Sequence, residues 1–184
     1  MFSKNLLFAF VVLFSASLKA QTKPVPETLN EINYYNAQKN VLQKLEKNPV
    51  KFTTKMKALG MGGAETVFEM DGVASSVRLA QSDGVHFIVA MVEANGDPTG
   101  WFGLYKADIK KKKRIGKWMK TAVFGGKNAT ASNVITYSVK KIKDGCYEII
   151  PNTKLEKGEY LFVNKGTLST YGGQGADAFA FGVD

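Results

Sequence analysis

The stretch Leu155-Glu156-Lys157-Gly158-Glu159-Tyr160-Leu161-Phe162-Val163 constrains the fold more than any other. An apolar residue precedes a charged turn with one glycine, and a tyrosine then opens an apolar run. This is the arrangement of a tyrosine corner in a Greek-key sandwich, where the ring packs inside and the hydroxyl bonds backbone upstream. Leu155, Gly158 and Tyr160 are the expected structural corner. Tyr160 is expected to be buried with its hydroxyl on the backbone of 155–157, and Glu156, Lys157 and Glu159 to face water. Short apolar runs at 65–70, 73–80, 85–92, 101–106, 134–142, 146–150, 160–163 and 179–183 are separated by turn residues at roughly ten-residue spacing. That spacing predicts an all-β chain, read here as an immunoglobulin-like Greek-key β-sandwich. The run 85–92 is the most apolar and is expected to be central. Strands do not alternate with helices in the manner of a nucleotide-binding α/β fold, and no internal repeat stands out.

Upstream of the sandwich the pattern changes. Residues 1–20 begin with Lys4, continue through the unbroken apolar run 6–14 and end in Leu18-Lys19-Ala20. This is the order of a secretory signal peptide. The run is about half the ~20 residues that a membrane helix needs, so no transmembrane segment is expected. No cysteine lies near the cut, so the expected product is periplasmic or secreted and not a lipoprotein. Residues 21–28 carry two prolines and read as a linker. Residues 29–64 read as an N-terminal extension, either a hairpin pairing 32–35 with 41–45 or a short helix. The sandwich domain is assigned to 65–184.

With Lys4 and Lys19 in the leader, residues 21–184 hold 23 basic and 16 acidic side chains, a formal charge of +7. This balance favours anionic partners. Cys146 is the only cysteine, so no intrachain disulfide can form and the fold must rest on its core. It reads as a small buried hydrophobe within a strand.

Gly72-Val73-Ala74-Ser75-Ser76-Val77-Arg78-Leu79, the Gly158-Glu159-Tyr160 turn and the ending Phe181-Gly182-Val183-Asp184 occur together in this chain. In these patterns the chain resembles a group of small secreted bacterial β-sandwich proteins of unknown function. The resemblance spans roughly 65–184 and implies a sandwich fold. It brings no established activity and no catalytic residue.

Few residues suggest catalysis. His86 is the only histidine and lies in an apolar run away from Cys146 in sequence, which suits a satisfied strand residue better than a Ser–His–Asp or Cys–His site. A zinc site would need further carboxylate ligands at positions no spacing marks. The glycine clusters at 124–128 and 171–175 lack the Walker spacing, and Asn128-Ala129-Thr130 matches a glycosylation sequon only at the level of chance. No cofactor is implied. The strongest candidate is 106–120, where Lys106, Lys110, Lys111, Lys112, Lys113, Arg114, Lys117 and Lys120 surround a single acid, Asp108. Lys110, Lys111, Lys112, Lys113, Arg114 and Lys117, with Trp101 and Trp118, form the expected ligand-binding set for an anionic polysaccharide or lipid head groups. The bland alternative is a solvated hairpin tip. Nucleic acid is not an expected partner for an exported chain. The leading expectation is therefore an exported, non-enzymatic binding module. The alternatives are an assembly component held by an envelope protein partner through β-augmentation, and a hydrolase using buried carboxylates.

Overall fold

A computed structural model describes residues 22–56, 64–81, 84–92, 96–121, 129–130 and 133–184. The expected leader and the 124–128 glycine cluster, with Asn128 of the sequon, lie outside these residues. In chain order the strands are β1 (Ile32–Asn36), β2 (Val41–Lys44), β3 (Glu46–Met56), β4 (Ala64–Asp71), β5 (Arg78–Leu79), β6 (His86–Ala90) and β7 (Phe102–Lys110). They continue as β8 (Lys113–Thr121), β9 (Ala129–Thr130), β10 (Val134–Ile135), β11 (Tyr137–Lys143), β12 (Cys146–Pro151), β13 (Gly158–Asn164) and β14 (Gly175–Val183). A single helical turn, Pro98–Trp101, precedes β7.

Two sheets form. The smaller has the order β11-β12-β6-β1-β2, with the apolar β6 at its centre. Residues 29–45 supply its β1–β2 hairpin, in which Tyr35 faces Leu42 across the ladder. The larger sheet runs β7-β13-β14-β3-β4-β8, and β8 pairs back onto β7. Six strands thereby close into a barrel. The all-β expectation holds, and the closure is a feature that the immunoglobulin-like Greek-key expectation did not include. The line drawn between 64 and 65 falls one residue into β4 and so cuts a barrel strand that pairs with β3.

Period-two alternation sorts the side chains into two cores. On β13, Leu161 and Val163 enter the barrel, whereas Tyr160 and Phe162 face the smaller sheet. On β14, Ala176, Ala178 and Ala180 enter the barrel, and Phe179, Phe181 and Val183 face outward. A six-strand barrel is narrow, so three alanines on one strand leave room for Phe68, Met70 and Tyr105 from others. The outward aromatic rings meet Phe87, Val89, Tyr147 and Ile149 of the smaller sheet. Full burial of each such ring stabilises by about 1.5–3 kcal/mol. The chain passes between layers at Thr136: β10 pairs with β7 in the barrel, and β11 pairs with β12 in the smaller sheet.

Tyr160 is 1% exposed, stacks on Phe181 at 5.4 Å, and donates its hydroxyl to the Glu156 carbonyl at 2.8 Å. Leu155 is buried beside it, and Gly158 has φ +151°. Two local expectations are corrected. Residues 73–77 are not strand. Gly72 turns the chain at φ +89°, and the next residues meet carboxylates in place of a ladder. Glu159 does not face water. It is buried and accepts from the Ser75 N–H at 2.8 Å.

Inside the barrel Gly116 faces Phe68, and a Cβ on Gly116 would stand 1.9 Å from that ring. Gly116→Ala is therefore expected to cost about 1–3 kcal/mol through overpacking, read as a lower urea midpoint. Adding Phe68→Leu should make the double variant less unstable than the sum of the two single ones. Strict additivity would show that the close approach carries no weight.

Candidate functional site

The six cationic positions expected to act together diverge in space. β7 and β8 are joined by the two-residue turn Lys111–Lys112, flanked by the pair Lys110 and Lys113. Both turn residues have positive φ, 51° and 60°. That is the requirement of a type I′ hairpin turn, which Asn-Gly meets with least strain. Lys110, Lys111 and Lys112 are exposed. Lys110 lies 3.8 Å from Asp108, and among the described residues no ion pair involves Lys111 or Lys112. Lys113 bends back to Glu69 at 3.0 Å and to Asp71 at 3.7 Å. The Gly72 N–H donates to the Lys112 carbonyl at 3.1 Å and fastens the turn to the barrel. Val73 and Ile109, at the same barrel end, are 51% and 47% exposed.

Arg114 and Trp118 leave the expected binding surface, because they share the inward face of β8 with Gly116. Arg114 is 1% exposed and grips Glu46 with two hydrogen bonds of 3.0 and 2.7 Å. Its third bond goes to the Asp71 carbonyl at 3.0 Å, and its Nε has no acceptor among the described residues. Trp118 packs in the barrel against Phe52, Phe68 and Tyr105. Lys117 is half-buried farther along β8. Trp101 precedes the start of β7, and its ring covers Gly166. Nine residues of strand, roughly 30 Å, separate it from the lysine turn.

The same barrel end holds a polar network that the charge count did not indicate. Glu46 accepts from the Ser76 N–H at 3.1 Å as well as from Arg114. Burial pushes its carboxyl up, but the bonds from Arg114, Ser75 and Ser76 outweigh this and bring its pKa to about 2. Glu159 pairs with Arg78, and Arg78 also holds Asp184 through two hydrogen bonds. The Arg78 guanidinium lies over Gly182, where a Cβ would meet it at 1.8 Å. The Ser75 hydroxyl donates to the Ala180 carbonyl at 3.1 Å. The segments 72–79, 158–160 and 181–184 thus meet in one place, joined through Ser75, Arg78, Glu159, Gly182 and Asp184.

His86 is placed as a satisfied residue. Its Nδ1 is 2.7 Å from Glu148, whose buried carboxylate also pairs with Lys23 from the N-terminal arm. Burial pushes the Glu148 carboxyl up, and the bonds from Lys23 and His86 pull it below its ordinary value. Lys23 also lies over the Tyr35 ring, so the segment read as a linker docks on the smaller sheet. Cys146 is buried with Tyr35 and Ile88, and burial pushes its thiol up, away from the reactive thiolate. No helix among the described residues is long and apolar enough to cross a membrane.

The Glu46–Arg114 pair sets an acid limit. A carboxyl at about 2 when folded and about 4.5 when unfolded contributes stability that is complete above the unfolded value. It is lost as pH falls from about 4.5 toward 2, and it amounts to at most about 3.5 kcal/mol. Urea unfolding across this range should show a steeper loss for the natural chain than for Glu46→Gln/Arg114→Met. Equal slopes would assign the acid sensitivity to other carboxylates.

Comparison with protein-family models, curated proteins and solved structures finds no match to this chain.

Proposed function

We propose that the protein is an exported binding module that settles on anionic lipid surfaces through the tip of the β7–β8 hairpin. The observation that carries this reading is the Lys111–Lys112 turn. Both residues hold the left-handed conformation, which costs an L-residue with a Cβ roughly 1–2 kcal/mol. The hairpin demands this conformation but does not demand lysine, so two lysines where Asn-Gly would sit with less strain support a role outside the fold. The turn places Lys110, Lys111 and Lys112 side by side at the end of the barrel. Val73 and Ile109 add exposed aliphatic surface at that end, which favours a bilayer over a hydrated glycan chain. Three lysines near an anionic leaflet contribute about 3 kcal/mol, on the order of a hundredfold in partitioning. One molecule binds weakly on that basis, and several on one surface bind well.

The protein is expected to co-sediment with phosphatidylglycerol-containing vesicles at low salt and not with pure phosphatidylcholine vesicles. Added salt should release it, because exposed charges are screened. Lys110→Gln/Lys111→Gln/Lys112→Gln should abolish the association without changing the melting temperature. An acidic polysaccharide that binds while vesicles do not would move the partner to a glycan. Unchanged vesicle binding by the triple variant would remove the tip from the mechanism.

The turn supplies a separate test. Lys111→Asn/Lys112→Gly installs the least strained residues for this geometry. It is expected to raise stability by about 1 kcal/mol while weakening vesicle binding. Unfolding midpoints and sedimentation on the same preparation check both.

A further inference from the structure

At the far end of the barrel from the lysine turn, where the chain passes at Thr136 between the layers, there is a pocket of about 350 Å³. Tyr105, Trp118, Val134, Ile135, Tyr137 and Lys165 are among the residues that line it. Two features make it more than a gap between strands. Gly103 in its floor has no side chain, and the Tyr105 ring lies over that bare backbone, within 2.6 Å of where a Cβ would stand. The pocket therefore has aromatic walls, with Tyr105 and Trp118 tilted by 31° at 5.9 Å. The second feature is Lys165. Its ammonium donates to the Thr99 carbonyl at 3.1 Å, and among the described residues it has no carboxylate partner. Burial lowers its pKa. A half-buried ammonium bound only to a neutral carbonyl keeps much of its desolvation cost, and an arriving anion offsets that cost.

We infer that this pocket binds a small amphipathic anion, an aromatic or short-chain carboxylate, with Lys165 as its charge partner and Tyr105 and Trp118 as its apolar walls. The volume is near the lower end for ligand sites, which suits one ring system or a short acyl chain. Tyr137 has its hydroxyl engaged by the Phe102 carbonyl at 2.7 Å, so it shapes the pocket without offering a free donor. The pocket is independent of the lipid-surface reading. Along β7 Tyr105 and Lys110 are five residues apart, roughly 17 Å, and neither site needs the other.

The test uses 2-naphthoate and its neutral counterpart 2-naphthalenemethanol on the full chain. Binding is read by calorimetry and by the NMR shift of the Trp118 indole N–H, assigned in a Trp101→Phe background. Naphthoate is expected to bind saturably at one site and to move that signal, with the alcohol at least tenfold weaker. Lys165→Gln should reduce naphthoate to the level of the alcohol and leave the alcohol unchanged. Lys110→Gln/Lys111→Gln/Lys112→Gln should leave both probes unaffected, which separates this site from the lysine turn. Equal affinity of the two probes for the natural protein would overturn the role of Lys165. A Trp118 signal that stays fixed at millimolar naphthoate would overturn the pocket itself.

Discussion

The network of ion pairs at one end of the barrel is the constraint on which the rest of the structure depends. A closed barrel has no free strand edges, but it has two ends, and the segment after Gly72 crosses one of them. Its backbone N–H groups have no ladder to join there. Ser75 and Ser76 give theirs to the carboxylates of Glu159 and Glu46. Those carboxylates are themselves withdrawn from water, and an uncompensated buried charge costs several kcal/mol. Arg78 and Arg114 neutralise them. The pairing thereby links β3, β8, β13 and the end of β14 through the crossing segment. The contribution is specific rather than simply stabilising. Arg114 leaves its Nε without an acceptor among the described residues, so the pair is imperfect, and a buried pair repays its desolvation only when its geometry is complete.

How much of this was legible in the sequence follows from the range of each interaction. Strands such as 160–163 and 179–183 were readable because alternation and turn residues are local. The hydrogen bond of Tyr160 was readable because donor and acceptor are four residues apart. Closure was not, since it rests on the pairing of β14 with β3 and of β4 with β8, which no spacing marks, although the β7–β8 hairpin itself was the alternative reading of 106–120. Residues 73–77 alternate well enough to pass for a strand. Their true partners are carboxylates about thirty and eighty positions away. Glu159 read as a solvated turn residue for the same reason, because Arg78 is remote in sequence and adjacent in space.

The candidate site shows a different failure. Counting cations across 106–120 treated that stretch as one surface, but it contains two strands and a turn. On β8 the alternation Arg114, Gly116, Trp118 points inward, and a period-two reading of those residues would have separated them from the turn lysines. Of the two tryptophans expected in the binding set, Trp118 is a wall of the barrel core and Trp101 covers Gly166 far from the turn, and the one arginine is consumed by Glu46. What survives at the surface is a triplet, Lys110 to Lys112, and its significance rests on conformation rather than on number.

Net charge is therefore a poor guide to where this protein makes its contacts. Arg78, Arg114, Lys23 and Lys113 are all cations held by carboxylates within the fold, and removing them from the count removes them from any partner's reach. The useful quantity is the charge that folding leaves without an internal partner. By that measure the barrel has two distinct ends. At one, exposed lysines are held by a strained turn that the barrel pairing and the Gly72–Lys112 bond keep in place. A fixed turn loses little backbone freedom on meeting a surface, which lowers the entropic cost of contact. At the other, the half-buried Lys165 lies beside Tyr105 and Trp118, so an anion that meets this ammonium must also fit against aromatic surface, a demand the exposed lysine turn does not make.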